Sequence, residues 1–272
     1  MEPSHLKALY DNPGPFASVY LVTERADPEA GHPIEQRWRE LRGRLAADGA
    51  DEPTLEAIDA AVGSDRGQPS PYGQAIFAAG AAVLLQEQLR APTMLDRTAF
   101  GPLPDILPLL AQTLDFSSYQ LVLADRTGAD VQGHAGGGVD ERARRAAQVV
   151  AAQEEESLRA EALDRYAGRL ATGGAVEGLI PTVVALRRGD ADTLLISLGS
   201  KVLDAWLWWG PEPGQLAAHP EELTDMCSPQ TRRDKAGNVL VRAAVQNGSR
   251  ILVLAGGEPG PANGVGAVLR HT

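Results

Sequence analysis

Residues 175–272 switch repeatedly between short apolar runs and helical spacing. "ADTLLISLG" (191–199), "DAWLWWGP" (204–211), "SRILVLAGG" (249–257) and "GVGAVLRHT" (264–272) read as strands, each bounded by glycine, proline or charge. "AVEGLIPTVVALRRG" (175–189) and "GNVLVRAAVQNG" (237–248) read as helices. Pro181 imposes a kink or a late start on the first, and Gly248 closes the second. Apolar strands need helices to cover their faces, so this alternation predicts a layered α/β domain over 175–272. Its expected core is Leu194, Leu195, Ile196, Ile251, Val253, Val268 and Leu269.

The first part of the chain carries a similar mixture. "GPFASVYLVT" (14–23) follows a Pro/Gly turn and is rich in β formers, which predicts a strand. In "IEQRWRELRGRLAADG" (34–49) Trp38, Leu41 and Leu45 fall on one helical face, and Gly49 is placed to end the helix. "EPTLEAIDAAVGS" (52–64) reads as a second helix with Pro53 near its start. "GQAIFAAGAAVLLQEQL" (73–89) reads as two short strands around Gly80, and "DILPLLAQTLDFSSYQ" (105–120) as short helix and connector. These predict an N-terminal α/β domain over 1–115.

Between the two lies an unusual junction. "YQLVLADRTGADVQGHAG" (119–136) has the pattern of a β-hairpin about Asp125–Gly128, yet two strands alone are marginal in water. The glycine run Gly136–Gly138 follows at once, and then residues 139–170 read as one long helix with Leu163, Tyr166 and Leu170 as its buried stripe. Residues 116–174 are thus expected to be a truncated middle domain: hairpin, glycine linker and long helix.

The formal charge is −11, and residues 1–136 carry nine of those net negative charges. That balance argues against a generic nucleic-acid binder and against DNA as partner, because phosphate contacts need clustered Lys and Arg. Local basic groups remain: Arg142, Arg144 and Arg145; Arg187 and Arg188; Arg232, Arg233 and Lys235. Taken singly each reads as a solvated helix end or loop. Taken together they are the candidate RNA or ribosome contacts.

One cysteine, Cys227, precludes an intramolecular disulfide. The five histidines lack the paired spacing of a zinc site. No nucleotide-binding glycine motif and no nucleophile–base pair are visible, so neither a catalytic residue, a cofactor nor a metal is expected. The first residues lack a basic region followed by an apolar run, and no apolar run spans a bilayer. A cytoplasmic protein without a membrane partner is the expectation. The oligomeric state is not legible.

The "WLWW" cluster is the sharpest aromatic feature. On a strand Trp206 and Trp208 share one face and Trp209 takes the other. An exposed Trp can stack on a base; packing between sheet and helix is the alternative, favoured for at least one face. Gly264 and Gly266 read as sites of close backbone approach.

Residues 174–197, "GAVEGLIPTVVALRRGDADTLLIS", and 264–272, "GVGAVLRHT", resemble the C-terminal domain of the archaeo-eukaryotic release factors and Pelota. "GPFASVYLVT" and "LADRTGADV" resemble the bacterial branch of that superfamily, which includes Vms1-like release-factor homologues and Balon-like hibernation factors. The resemblance implies a translation factor that meets the ribosome, through rRNA, tRNA or a translational GTPase. It also implies a middle domain whose Gly-Gly-Gln loop serves peptidyl-tRNA cleavage. Here no Gly-Gly-Gln and no Asn-Ile-Lys-Ser occurs; the nearest Gly-Gln pairs, Gly67–Gln68 and Gly73–Gln74, read as loop residues. A non-catalytic rescue or hibernation factor is therefore favoured over a hydrolase with a diverged or missing loop. A protein-interaction module using the acidic N-terminal domain is a third, weaker reading.

Overall fold

A computed structural model describes residues 4–23, 34–64, 72–89, 96–112, 114, 157–226 and 230–271. The 119–133 hairpin, the Gly136–Gly138 run, the first part of the long helix, Gly67–Gln68, Cys227 and Arg142, Arg144 and Arg145 lie outside them.

The first sheet is antiparallel, in the order β3-β2-β1-β4: β1 is Phe16–Thr23, β2 Tyr72–Ala79, β3 Ala82–Leu89 and β4 Arg97–Gly101. The β2–β3 turn is Gly80–Ala81, both at positive φ (58° and 66°), which matches the twist of a two-residue hairpin. Ala81 tolerates this conformation while its N–H donates to Thr54 Oγ1 at 3.2 Å. Alternation along β1 splits its side chains between two buried faces. Ala17, Val19 and Leu21 pack under the helices α2 (Ile34–Ala47) and α3 (Glu52–Ala61), against Trp38, Leu41, Leu45, Leu55 and Ile58. Trp38 Nε1 donates to Asp59 Oδ1 at 2.7 Å, so the indole anchors α2 to α3.

Phe16 and Tyr20 face the other way. There they join α1 (Ser4–Tyr10), α4 (Leu107–Ala111) and residues from the end of the chain in one continuous apolar cluster. Neither α1 nor β4 was foreseen from the sequence. Gly73–Gln74 is not a loop but part of β2. Gln74 is buried, with its amide donating to Ala61 O at 3.0 Å, because the strand continues to Thr23's partner Tyr72. A further pair, Gly214–Gln215, belongs to a tight turn in which Gln215 N–H donates to Glu212 O at 3.0 Å.

The second sheet has the order β10-β6-β11-β5, with β5 Ala175–Glu177, β6 Ala191–Ser197, β10 Arg250–Leu254 and β11 Val265–Leu269. Only β10–β6 is parallel. The helix running through 157–171 (α5) covers one face, where Tyr166 packs on Ala175, Leu195, Leu254 and Val268. On the other lie α6 (Leu179–Arg188) and the helix Ala236–Gln246, labelled α8 because the short α7 (Pro220–Asp225) precedes it. Pro181 thus marks a late start: residues 175–177 are strand and the helix begins at Leu179.

Of the expected core, six residues are buried and Leu269 is only half-buried. The β11 register shifts between Val268 and Leu269, which lifts that side chain toward the edge. Leu170 is likewise 37% exposed, because α5 is in its last turn there and Gly173 (φ 78°) turns the chain into β5. Gly266 does permit close approach. A Cβ on it would lie 2.8 Å from Val176 O and 2.9 Å from Tyr166 Oη.

Candidate nucleic-acid interface

A third, three-stranded antiparallel sheet holds the aromatic cluster. Its order is β8-β7-β9, with β7 Trp206–Trp209, β8 Leu216–Ala217 and β9 Arg232–Lys235. The sequence foretold β7 but neither β8 nor β9; four charged residues in a row give no apolar strand signal.

Pairing sets the site. Trp206 lies opposite Lys235, Leu207 opposite Asp234, Trp208 opposite Arg233 and Trp209 opposite Arg232. Alternation therefore sorts the sheet into two chemistries. Leu207, Trp209 and Asp234 are buried on the inner face. Trp206 is 56% exposed, Arg233 and Lys235 are exposed, and Trp208 is half-buried on the outer face. The Arg233 guanidinium carbon is 4.9 Å from the Trp206 ring centroid and 6.0 Å from that of Trp208. Lys235 Nζ pairs with Asp204 at 2.9 Å, an exposed contact of little energetic weight.

The inner residue Asp234 fixes this sheet. Its Oδ1 accepts Lys235 N–H at 2.7 Å and Asn238 Nδ2 at 3.0 Å at the start of α8, and its Oδ2 accepts Leu103 N–H at 3.2 Å. Burial pushes its carboxyl up, while those donors pull it back down. Asp105, two residues on from Leu103, is in turn tied to β1. Asp105 N–H donates to Ser18 Oγ at 3.0 Å, and Tyr20 Oη donates to Asp105 O at 2.6 Å. Burial also raises the Asp105 carboxyl, with Arg97 at 2.6 Å opposing.

The other basic candidates stand elsewhere. Arg187 and Arg188 end α6; Arg187 pairs with Glu222 at 2.8 Å and Arg188 is exposed. Arg232, opposite Trp209 on the inner face, donates to Pro13 O at 3.0 Å, with its guanidinium 5.6 Å from the Trp209 centroid. What the fold brings together is Trp206, Trp208, Arg233 and Lys235: two aromatic surfaces with a cation between them and a second beside them. An exposed indole offers a π face to any base, and the cations offer donors to phosphate. Among the described residues there is no cluster of three or more His, Cys, Asp or Glu suited to a metal, and no helix long and apolar enough to cross a membrane.

No family model matches the chain. Two uncharacterized proteins of Mycobacterium tuberculosis, Rv2629 and MT2704, are each 30% identical to it over 132 residues, 48% of this chain and 35% of theirs. The match therefore spans about a third of the relatives' length. Among solved structures the chain is similar to Archaeoglobus fulgidus Pelota at 14% identity, over 98% of this chain and 92% of that one, with a TM-score of 0.34. The archaeal translation termination factor aRF1 is 14% identical over 99% and 98% of the two chains, with a TM-score of 0.28. Saccharomyces cerevisiae Dom34, a translation termination-like factor that interacts with Hbs1, is 10% identical over 74% and 60%, with a TM-score of 0.27. At TM-scores this low the likenesses carry no weight by themselves.

Proposed function

We propose that this chain is a non-catalytic, cytoplasmic factor of the translation apparatus, of the release-factor and Pelota kind, that docks on ribosomal RNA and acts in ribosome rescue or hibernation. The observation that carries the reading is the exposed Trp206–Arg233–Trp208 surface on β7 and β9. It supplies stacking and charge on one small face of an otherwise acidic molecule, so binding does not depend on overall charge. The sequence resemblance of 174–197 and 264–272 supports the same assignment, and extends it to tRNA or a translational GTPase as neighbours on the ribosome. In this reading 1–115 and 175–272 are the docking units and 116–174 a reduced middle segment that carries no cleaving loop. Arg142, Arg144, Arg145, Arg187 and Arg188 are further candidate phosphate contacts.

The test is sedimentation of the full chain with ribosomes, alongside stalled ribosomes bearing labelled peptidyl-tRNA. Co-sedimentation without release of the labelled peptide is expected. Release above background would replace this reading with that of a peptidyl-tRNA hydrolase, and failure to sediment would remove the ribosome from it.

A further inference from the structure

Beneath the third sheet, on the face turned away from the Trp206 surface, lies a cavity of about 220 Å³. Its walls come from the α1–β1 connection, from Pro102–Leu103, from β7 and β9, and from α8. Two arginines line it. Arg242 is 5% exposed; its Nη2 donates to Pro211 O at 2.6 Å and its guanidinium lies 4.5 Å from the Trp209 centroid. Arg232 approaches the same indole. Among the described residues neither forms an ion pair, which is unusual for a guanidinium as buried as that of Arg242. Burial pulls Arg242 down to about 10, so it remains a cation at neutral pH, with Glu212 favouring and Arg232 opposing its charge.

Three more residues of this lining hold polar atoms that are buried without a hydrogen-bond partner among the described residues: Tyr10 Oη, Trp209 Nε1 and Gln246 Oε1. Each such atom costs free energy in the fold unless something else satisfies it. The hydroxyl, the indole N–H and the two guanidinium groups are donors, whereas Gln246 Oε1 is an acceptor that a protonated ligand oxygen or a water would satisfy. Four donor-bearing side chains thus line one cavity, two of them cationic, and that lining favours an oxyanion over a cation.

We infer that this cavity is a binding site for a small phosphate-bearing ligand, held by Arg232 and Arg242 with Tyr10 and Trp209 as neutral donors. A phosphate monoester carries a charge of roughly −1.5 to −2 and three terminal acceptor oxygens, which balances two guanidiniums; a carboxylate offers half the charge. Asp11 also lines the cavity, but it is exposed and its charge is screened by water. The volume suits a phosphate with a small organic group. Because the walls come from both ends of the chain, ligand binding clamps α1 onto α8 and raises stability by mass action.

The experiment needs no ribosome, so it stands or falls apart from the function proposed above. The full chain is titrated with inorganic phosphate and with ribose 5-phosphate at constant ionic strength, against chloride and acetate controls, and read by thermal unfolding and calorimetry. A rise in Tm with both phosphates, with binding in the micromolar to low millimolar range and none with acetate, is expected. Arg232→Gln, at a half-exposed position, weakens that binding about tenfold or more. Tyr10→Phe leaves the unliganded protein as stable as before or more so, since it deletes an unpartnered buried hydroxyl, yet weakens phosphate binding several-fold. Phosphate without effect beyond chloride, acetate binding as well as phosphate, or affinity unchanged in both variants would each overturn the inference.

Discussion

The Asp234 carboxylate accepts the main-chain N–H of Leu103 at 3.2 Å across 131 positions of sequence. Its other oxygen holds Lys235 N–H and the Asn238 amide where α8 begins. One buried side chain thus ties the strand that carries Arg233 to the segment leaving β4 and to the helix that fills the core.

Replacing Asp234 by Ala strands three donors, two of them on the main chain. A loss of about 3 kcal/mol in unfolding free energy is expected, measured by urea denaturation. A change within experimental error would mean that the anchor is not a structural one.

Tyr20 serves the same junction from the other side. Its hydroxyl donates to Asp105 O at 2.6 Å while its ring meets Phe77 edge-on at 5.8 Å. Tyr20→Phe keeps the ring contact and loses the hydrogen bond, so a destabilisation of about 1–2 kcal/mol is predicted. An unaltered midpoint in the same assay would contradict it.

Gly266→Ala presents a harder steric problem. The new methyl group meets Val176 O on the paired strand β5 and Tyr166 Oη on α5, so making room for it parts β5 from β11 or lifts Tyr166 off the sheet. A cost of about 1–3 kcal/mol follows, with amide exchange accelerated first along 175–177. Gly43→Ala, with open space around the glycine on α2, is the control and should be neutral or mildly stabilising.

Stability should also respond to acid in a defined direction. Burial raises Asp105 and Asp234 above the ordinary carboxylate value of 3.8. The folded state therefore holds these protons more tightly than the unfolded state. As pH falls through the raised folded values toward 3.8, both groups contribute increasing stability; above that window the contribution is absent. Asp105→Asn should flatten this part of the pH–stability curve in equilibrium denaturation. A variant curve parallel to that of wild type would contradict the assignment.

Much of the fold was legible because the strands of the two larger sheets are apolar or alternate cleanly. "FASVYLVT" and "ADTLLIS" announce themselves, and Trp38, Leu41 and Leu45 mark α2 by spacing alone. The third sheet was only half legible. Arg232–Lys235 is a strand because Trp206–Trp209 supplies its partner, a tertiary cause that leaves no local periodicity. Alternation along "WLWW" did separate Trp206 and Trp208 from Trp209, but that Arg233 would stand over Trp206 depended on register, which no one-dimensional reading supplies. The cavity was invisible for the same reason. Tyr10, Arg232 and Arg242 are far apart in sequence, and each reads alone as an ordinary core or surface residue.

The central claim is that the outer face of β7 and β9 binds RNA on the ribosome. The most direct measurement compares the ribosome affinity of wild type with that of Trp206→Ala and Arg233→Gln, by sedimentation over a range of salt concentrations. Trp206 is 56% exposed, and its contact with Arg233 is worth roughly 0.5–1 kcal/mol to the fold, so both variants remain folded. Each should weaken binding about tenfold or more, the stacking loss for one base being about 1–3 kcal/mol. Arg233→Gln should also reduce the salt dependence of the wild-type interaction. Wild-type affinity and salt dependence in both variants, with the proteins folded, would contradict the account.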